Sequence, residues 1–182
     1  ARRMWQARVV RFADWFTEGE ILRQAELLLS HTEVWGRATV TDTGFTLVGK
    51  ADRVDVLHDG TARIYDYKTG PLPSNAQQFH FDKQLLLEAE ILQRGGFDGL
   101  NVLQVAEATY IGVGNELKLA KAPLGEDEVW VKFSELIKSY QNPNQGYTAR
   151  RAMLMVDVPS DYDQLARYGE WGTNEHPLLI KT

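Results

Sequence analysis

Residues 49–70 read GKADRVDVLHDGTARIYDYKTG. Two strand-like runs, 44–57 and 62–69, flank a turn signal at His58-Asp59-Gly60, which predicts a β-hairpin. Side chains alternate across a strand, so Ile64, Asp66 and Lys68 share one face, and Asp52 takes the face of Val48, Val54 and Val56. An Asp and a Lys two apart in a strand are commonly an exposed ion pair that contributes little. Here a second carboxylate, Asp52, is within reach across the hairpin, and two carboxylates on one face repel unless a proton or cation lies between them. Such an oxygen cage suits a hard cation such as Mg²⁺. Gly49, three residues before Asp52, leaves a gap in the sheet where a ligand or backbone can approach.

The register decides which acid meets Asp66. A three-residue loop with Gly60 in the left-handed conformation sets Val54 opposite Ile64 and Asp52 opposite Asp66, with Lys68 two residues along. A two-residue Asp59-Gly60 turn instead turns Asp52 to the other face and makes Asp55 the better partner.

Around the hairpin the pattern is mixed. Apolar residues spaced by threes and fours from Trp5 to Leu29 predict a long amphipathic helix, and 33–40 a strand. Residues 81–94 predict a helix stopped by Gly95-Gly96, 101–113 a strand, 125–140 a helix and 161–171 a short terminal helix. The order α-β-β-β-α-β-α predicts an α/β fold with a mixed central sheet flanked by helices. On the helix after the hairpin, Gln84 and Glu88 lie one turn apart on one face and could turn toward it.

Bulk properties narrow the function. With 182 residues, 43% apolar and 10% aromatic, the chain can fill one core as a single domain over 1–182. A net charge of −5 argues against a globally basic nucleic-acid binder but leaves room for local patches or a bound cation. The candidates for phosphate contacts are Arg2, Arg3, Arg8, Arg150 and Arg151, for which a solvated face is an equal reading. The absence of cysteine excludes disulfides, thiolate zinc sites, iron–sulfur clusters and Cys nucleophiles. His31, His58, His80 and His176 show no metal-ligand spacing; His58 reads as a turn residue and His80 as the start of a helix. No run is apolar enough to span a membrane and no signal peptide is evident, which agrees with a cytoplasmic location. The chain begins with Ala and reads as the C-terminal fragment of a longer protein.

The ordered set G-x-x-D (Gly49 to Asp52), D-x-K-T-G (Asp66 to Gly70) and Q-L-x-L (Gln84 to Leu87) resembles the RecB-type branch of the PD-(D/E)XK nuclease superfamily. GKADRVD, IYDYKTG, QLLLEAEIL, GGFDG and the closing DYDQLARYGEW are similar to the nuclease domains at the C-terminus of AddB-type subunits of double-strand-break repair helicase–nucleases, in their alphaproteobacterial form. The resemblance runs from about residue 5 to 171.

It implies a restriction-endonuclease-like core and a Mg²⁺-dependent deoxyribonuclease of exonuclease type, with Mn²⁺ as an alternative ion and no iron–sulfur cluster. Asp52, Asp66 and the backbone carbonyl of Tyr67 would hold the metal, Lys68 would act on the attacking water, and Gln84 would hold the water, Lys68 or the DNA backbone. The family spacing selects Asp52, and with it the three-residue loop, leaving Asp55 accessory. Glu88, which stands where many relatives have Tyr, is accessory too. The implied partners are a single DNA strand delivered from a duplex end and an AddA-like helicase–nuclease subunit. RecB-type nucleases also carry an upstream metal-binding His, and no His precedes His31; Glu18 or Glu20 could substitute. The alternative function is a catalytically silent module of the same fold that binds DNA or scaffolds a complex.

Overall fold

Strands that follow one another through short turns pair antiparallel, whereas a parallel pair needs a crossover. Both rules operate in the computed structural model, which describes residues 2–101, 103–114, 117–125, 128–146, 163–165, 167 and 169–171, and the side chains among these except those of residues 2–9 and 11. Helix α1 (Arg2–Gln24) leads into the meander β1 (Leu27–Thr39), β2 (Thr46–Leu57) and β3 (Ala62–Lys68). Helices α2 (Asn75–His80) and α3 (Gln84–Gln93) carry the chain to β4 (Val105–Gly112), which lies parallel to β3; β5 (Leu119–Lys121) and α4 (Val129–Tyr140) follow. The sheet order is β1-β2-β3-β4-β5, and every pair except β3–β4 is antiparallel. The sheet is therefore mixed and flanked by helices, as the sequence predicts.

Helix α3 anchors the core. Leu85, Ala89 and Leu92, at i, i+4 and i+7, are at most 1% exposed and join Ala51, Val54, Ile64, Ala108 and Tyr110 in one cluster. Each fully buried Leu or Ile contributes roughly 1.5–3 kcal/mol. After α3, Gly95 takes a φ of +66°, and Gly96 passes under β1, where the Arg37 N–H donates to its carbonyl at 2.9 Å. A Cβ on Gly96 would sit 2.1 Å from the Arg37 carbonyl oxygen, so only glycine lets the two backbones approach.

Several sequence expectations are corrected. Helix α1 forms, but Ile21 and Leu22 are 64% and 76% exposed, so its apolar spacing does not describe a buried stripe. Strand β1 starts at Leu27, six residues before the predicted run. Helix α2 went unpredicted although Ser74 and Gln77 form a reciprocal capping box at its start, and His80 ends that helix rather than beginning one. The predicted terminal helix at 161–171 is not found in its described residues, which form turns and bends. Arg167 at φ 53° and Gly169 at φ 98° leave the helical region.

Strict alternation also fails within β2. Ala51 and Val54, three apart, are both fully buried in the core cluster, while Val48 is 58% exposed and does not share the face of Val54. The faces exchange beside Glu33 of β1, whose φ is +57° and which lies between the pairs Thr32↔Arg53 and Val34↔Ala51. Nor does Gly49 leave an open gap: a Cβ there would meet Ile91 of α3 at 3.3 Å.

Two glycines of one loop separate close approach from backbone conformation. Gly96→Ala should cost about 3 kcal/mol, because the obstacle is backbone. Gly99→Ala, at φ +76° with nothing within 4 Å, should cost about 1 kcal/mol. Urea midpoints of the two variants check this, and equal midpoints would contradict the packing described.

Candidate active site

The β2–β3 hairpin takes the three-residue register: Val54 faces Ile64 and Arg53 faces Tyr65. Gly60 has a φ of +83°, and the Leu57 N–H donates to the Thr61 carbonyl at 2.9 Å. Continued one residue beyond Arg53 and Tyr65, this register points Asp52 toward Asp66, and the Tyr67 N–H donates to Asp52 Oδ2 at 2.9 Å. Tyr67 thus meets Asp52 through its backbone N–H.

Asp66, Lys68, Gln84 and Glu88 form one connected set. Lys68 Nζ donates to Asp66 Oδ1 at 3.0 Å and to Gln84 Oε1 at 2.8 Å. Gln84 Nε2 donates to Asp66 Oδ1 at 2.6 Å and to Glu88 Oε1 at 3.2 Å. Gln84 opens α3 with Glu88 one turn on, so a single helical face supplies both. The position of α3 over the sheet is fixed in turn by Tyr110, the β4 partner of Asp66, whose hydroxyl donates to Asp82 at 2.7 Å just before the helix. The Lys68 ammonium lies 5.5 Å from the Tyr110 ring centroid.

The electrostatics are those of crowded acids. Asp66 is 3% and Glu88 5% exposed. Burial pushes the Asp66 carboxyl above its ordinary value; the Lys68 ammonium opposes this and the charge of Asp52 adds to it. Burial likewise pushes Glu88 up to about 7, against the Gln84 hydrogen bond and helped by Asp66 and Asp52.

Asp55 belongs to the other face. It is 1% exposed and clamped by Arg53, with Nε to Oδ1 at 2.7 Å and Nη2 to Oδ2 at 2.6 Å, and by Ser30 at 2.7 Å. Arg53 also donates to Glu20 of α1 at 2.8 Å. Burial alone would lower the Arg53 pKa, but its bonds to Asp55, Glu20 and Tyr67 raise it instead. Asp55 is therefore no accessory of the Asp66 cluster, and Glu20, paired with Arg53 and Arg23, is not available to replace a histidine ligand. The sequence reading missed Arg53 and Tyr110; for Arg53 the signal was there, since D-R-x-D sets a cation and an acid two apart on the opposite face. Arg2, Arg3 and Arg8 fall in α1 where side chains lie outside the description, and Arg150 and Arg151 lie outside the described residues.

Among the described residues no group of three His, Cys, Asp or Glu side chains is gathered so as to hold a metal ion by itself. What fits a hard cation is the donor set. Buried Asp66 Oδ2 and Glu88 Oε2 accept no hydrogen bond, although Lys68 Nζ lies 2.9 Å from the former without hydrogen-bond geometry. Buried carboxylate oxygens need a donor, a proton or a cation. Neither the cavity lined by Arg37, Arg94 and Phe97 nor the one lined by Asn75, Phe79 and Lys121 includes these acids.

Two predictions follow the two faces. Asp55→Ala removes the two-pronged partner of buried Arg53, leaving it Glu20 alone as a counter-charge, and should cost roughly 3 kcal/mol in urea unfolding. Glu88 has a folded pKa raised above its ordinary 4.5, so the folded state binds the proton more tightly. Its contribution is fully present below about 4.5 and is lost as pH rises to about 7, by roughly 3 kcal/mol. In chelator, the stability difference between Glu88→Gln and the parent should therefore grow in favour of the variant across that window. A flat difference would contradict the burial of an ionisable Glu88.

Comparison with known proteins agrees with this geometry. A family model of the PD-(D/E)XK nuclease superfamily matches residues 1–171. An uncharacterized protein of Rickettsia typhi is 26% identical over 120 residues, covering 63% of this chain and 14% of its own length. One of Rickettsia conorii is 23% identical over 158 residues, covering 79% of this chain and 19% of its own length. The chain thus spans less than a fifth of the curated relatives it matches. Because the family match takes in the first helix, the whole sheet and every side chain of the Asp66 cluster, the chain belongs to the PD-(D/E)XK nuclease superfamily.

Proposed function

We propose that this chain is a metal-dependent deoxyribonuclease domain that hydrolyses phosphodiester bonds in a single DNA strand. We further propose that it works as the AddB-type nuclease of a double-strand-break repair machine, fed by an AddA-like helicase subunit. Members of the superfamily typically use divalent metals such as Mg²⁺. The observation that carries the reading is that Asp52 accepts from the Tyr67 N–H, next to Asp66, while Lys68 and Gln84 are bonded to Asp66. A silent module has no need of acids and a lysine brought together at the end of one hairpin.

In this reading Asp52, Asp66 and the Tyr67 carbonyl hold the cation, which when bound lowers the pKa of a water and offsets phosphate charge. Lys68 orients the attacking water and steadies the charge that grows on the phosphate oxygens. A lysine suits this because its ammonium is compact and carries three donors. Asp66 and Gln84 engage Lys68 and leave donor capacity for a water or phosphate oxygen. The ammonium is also reachable, since the Lys68 side chain is 32% exposed beside buried Asp66. Gln84 keeps Lys68 and Asp66 in register with α3. Contacts to the phosphate backbone rather than to bases make cleavage largely independent of sequence.

The chain should degrade single-stranded DNA in Mg²⁺ or Mn²⁺ and stop in chelator. Lys68→Ala should abolish cleavage while moving the melting temperature by only a few degrees, because its ammonium is partly solvated. DNA binding without metal-dependent cleavage would favour the silent module, and full activity in Lys68→Ala would remove that residue from the chemistry.

A further inference from the structure

We infer that Glu88 is a further cation ligand of this site, contributed by α3 rather than by the hairpin. The inference rests on the metal-dependent reading above and adds a carboxylate to Asp52 and Asp66; among the described residues these three are not already drawn together into a ready cage, so the ion itself would have to gather them. Glu88 is 5% exposed, and its hydrogen-bond partner is an amide, Gln84, at 3.2 Å. Around it the helix buries Leu85, Ala89 and Leu92, and β2 packs close by, a Cβ on Gly49 falling 3.8 Å from Glu88 Cγ. One oxygen, Oε1, accepts from Gln84 Nε2, the same nitrogen that donates to Asp66 Oδ1. A single amide therefore turns the Glu88 and Asp66 carboxylates toward one another. On each of them the second oxygen is buried and accepts no hydrogen bond.

A core position on a helix facing a sheet would ordinarily carry an apolar residue, as its neighbours do. A carboxylate kept there, with one oxygen bonded and the other accepting no hydrogen bond, is a hard-oxygen donor lacking its acceptor of electron density. The i, i+4 spacing from Gln84 places it on the helix face that already serves Lys68 and Asp66.

Mn²⁺ binding to the chain, measured by calorimetry for the parent, Asp66→Asn, Glu88→Gln and Glu88→Asp, tests this without reference to cleavage. Asp66→Asn should lose binding. Glu88→Gln and Glu88→Asp should each weaken it by roughly tenfold or more, and unchanged or raised urea midpoints would show both variants folded. Glu88→Asp keeps the charge but withdraws the oxygens by one methylene, so parent-like affinity in that variant would make Glu88 a distant charge and overturn the inference. Parent-like affinity in Glu88→Gln, with Asp66→Asn defective, would overturn it while leaving the Asp52 and Asp66 site standing. Parent-like affinity in Asp66→Asn would sink the metal site itself and this inference with it.

Discussion

Two carboxylates set against each other across a hairpin are the constraint around which this domain is arranged. Asp52 and Asp66 are brought near one another by the register of β2 on β3 and by the Tyr67 N–H that holds Asp52, not because they attract. Their repulsion is opposed locally by the Lys68 ammonium and by the Tyr67 N–H on Asp52. It is opposed globally by the apolar packing of α3 on Ala51, Val54 and Ile64, which holds the strands where they are. The proton affinities of Asp66 and Glu88 are raised chiefly by burial, and the neighbouring carboxylates add to it.

The hairpin carries two charged systems on opposite faces, with different physical roles. On the α1 side, Arg53, Asp55, Glu20 and Ser30 form a closed set in which each Asp55 oxygen is bonded. Closed networks of this kind rigidify a strand and hold no spare valence for a ligand. On the α3 side the set is open: two buried oxygens accept nothing, and the lysine is partly solvated. The closed face connects to the open one through Tyr67, whose hydroxyl accepts from Arg53 at 3.4 Å while its N–H donates to Asp52. Satisfaction on one face and its absence on the other are what separate a structural cluster from a chemical one.

Much of this was legible in the chain. The hairpin, its loop, the helix stop at Gly95-Gly96 and the one-turn spacing of Gln84 and Glu88 are local signals, each written in a few adjacent residues. What could not be read locally depends on partners far along the chain. Period-two alternation assigned Val48 to the face of Val54, but Val48 is exposed while Ala51 and Val54 are both buried, and the departure lies beside a left-handed residue, Glu33, of the neighbouring strand. Gly49 looked like an opening for a ligand, and Ile91, more than forty residues away in sequence, fills it. The apolar spacing of α1 promised a buried stripe, yet Ile21 and Leu22 are exposed, and the helix meets the sheet through Glu20 and Arg23 and the ring of Phe16 beside Tyr67.

By itself the sequence determined which residue types were present and in what order, and so the identities of Asp52, Asp66, Lys68 and Gln84 as a candidate set. Turn signals alone left Asp52 and Asp55 open, because a loop of two or three residues fits His58-Asp59-Gly60 equally well and a one-residue slip exchanges every side chain between faces; it was the resemblance in G-x-x-D spacing that selected Asp52. In the molecule, tertiary structure made that choice. Asp55 found Arg53 and Ser30 on one face, and Val54 and Ile64 had to lie under α3 on the other, so burial of the apolar pair and pairing of the buried arginine settle together which acid faces Asp66.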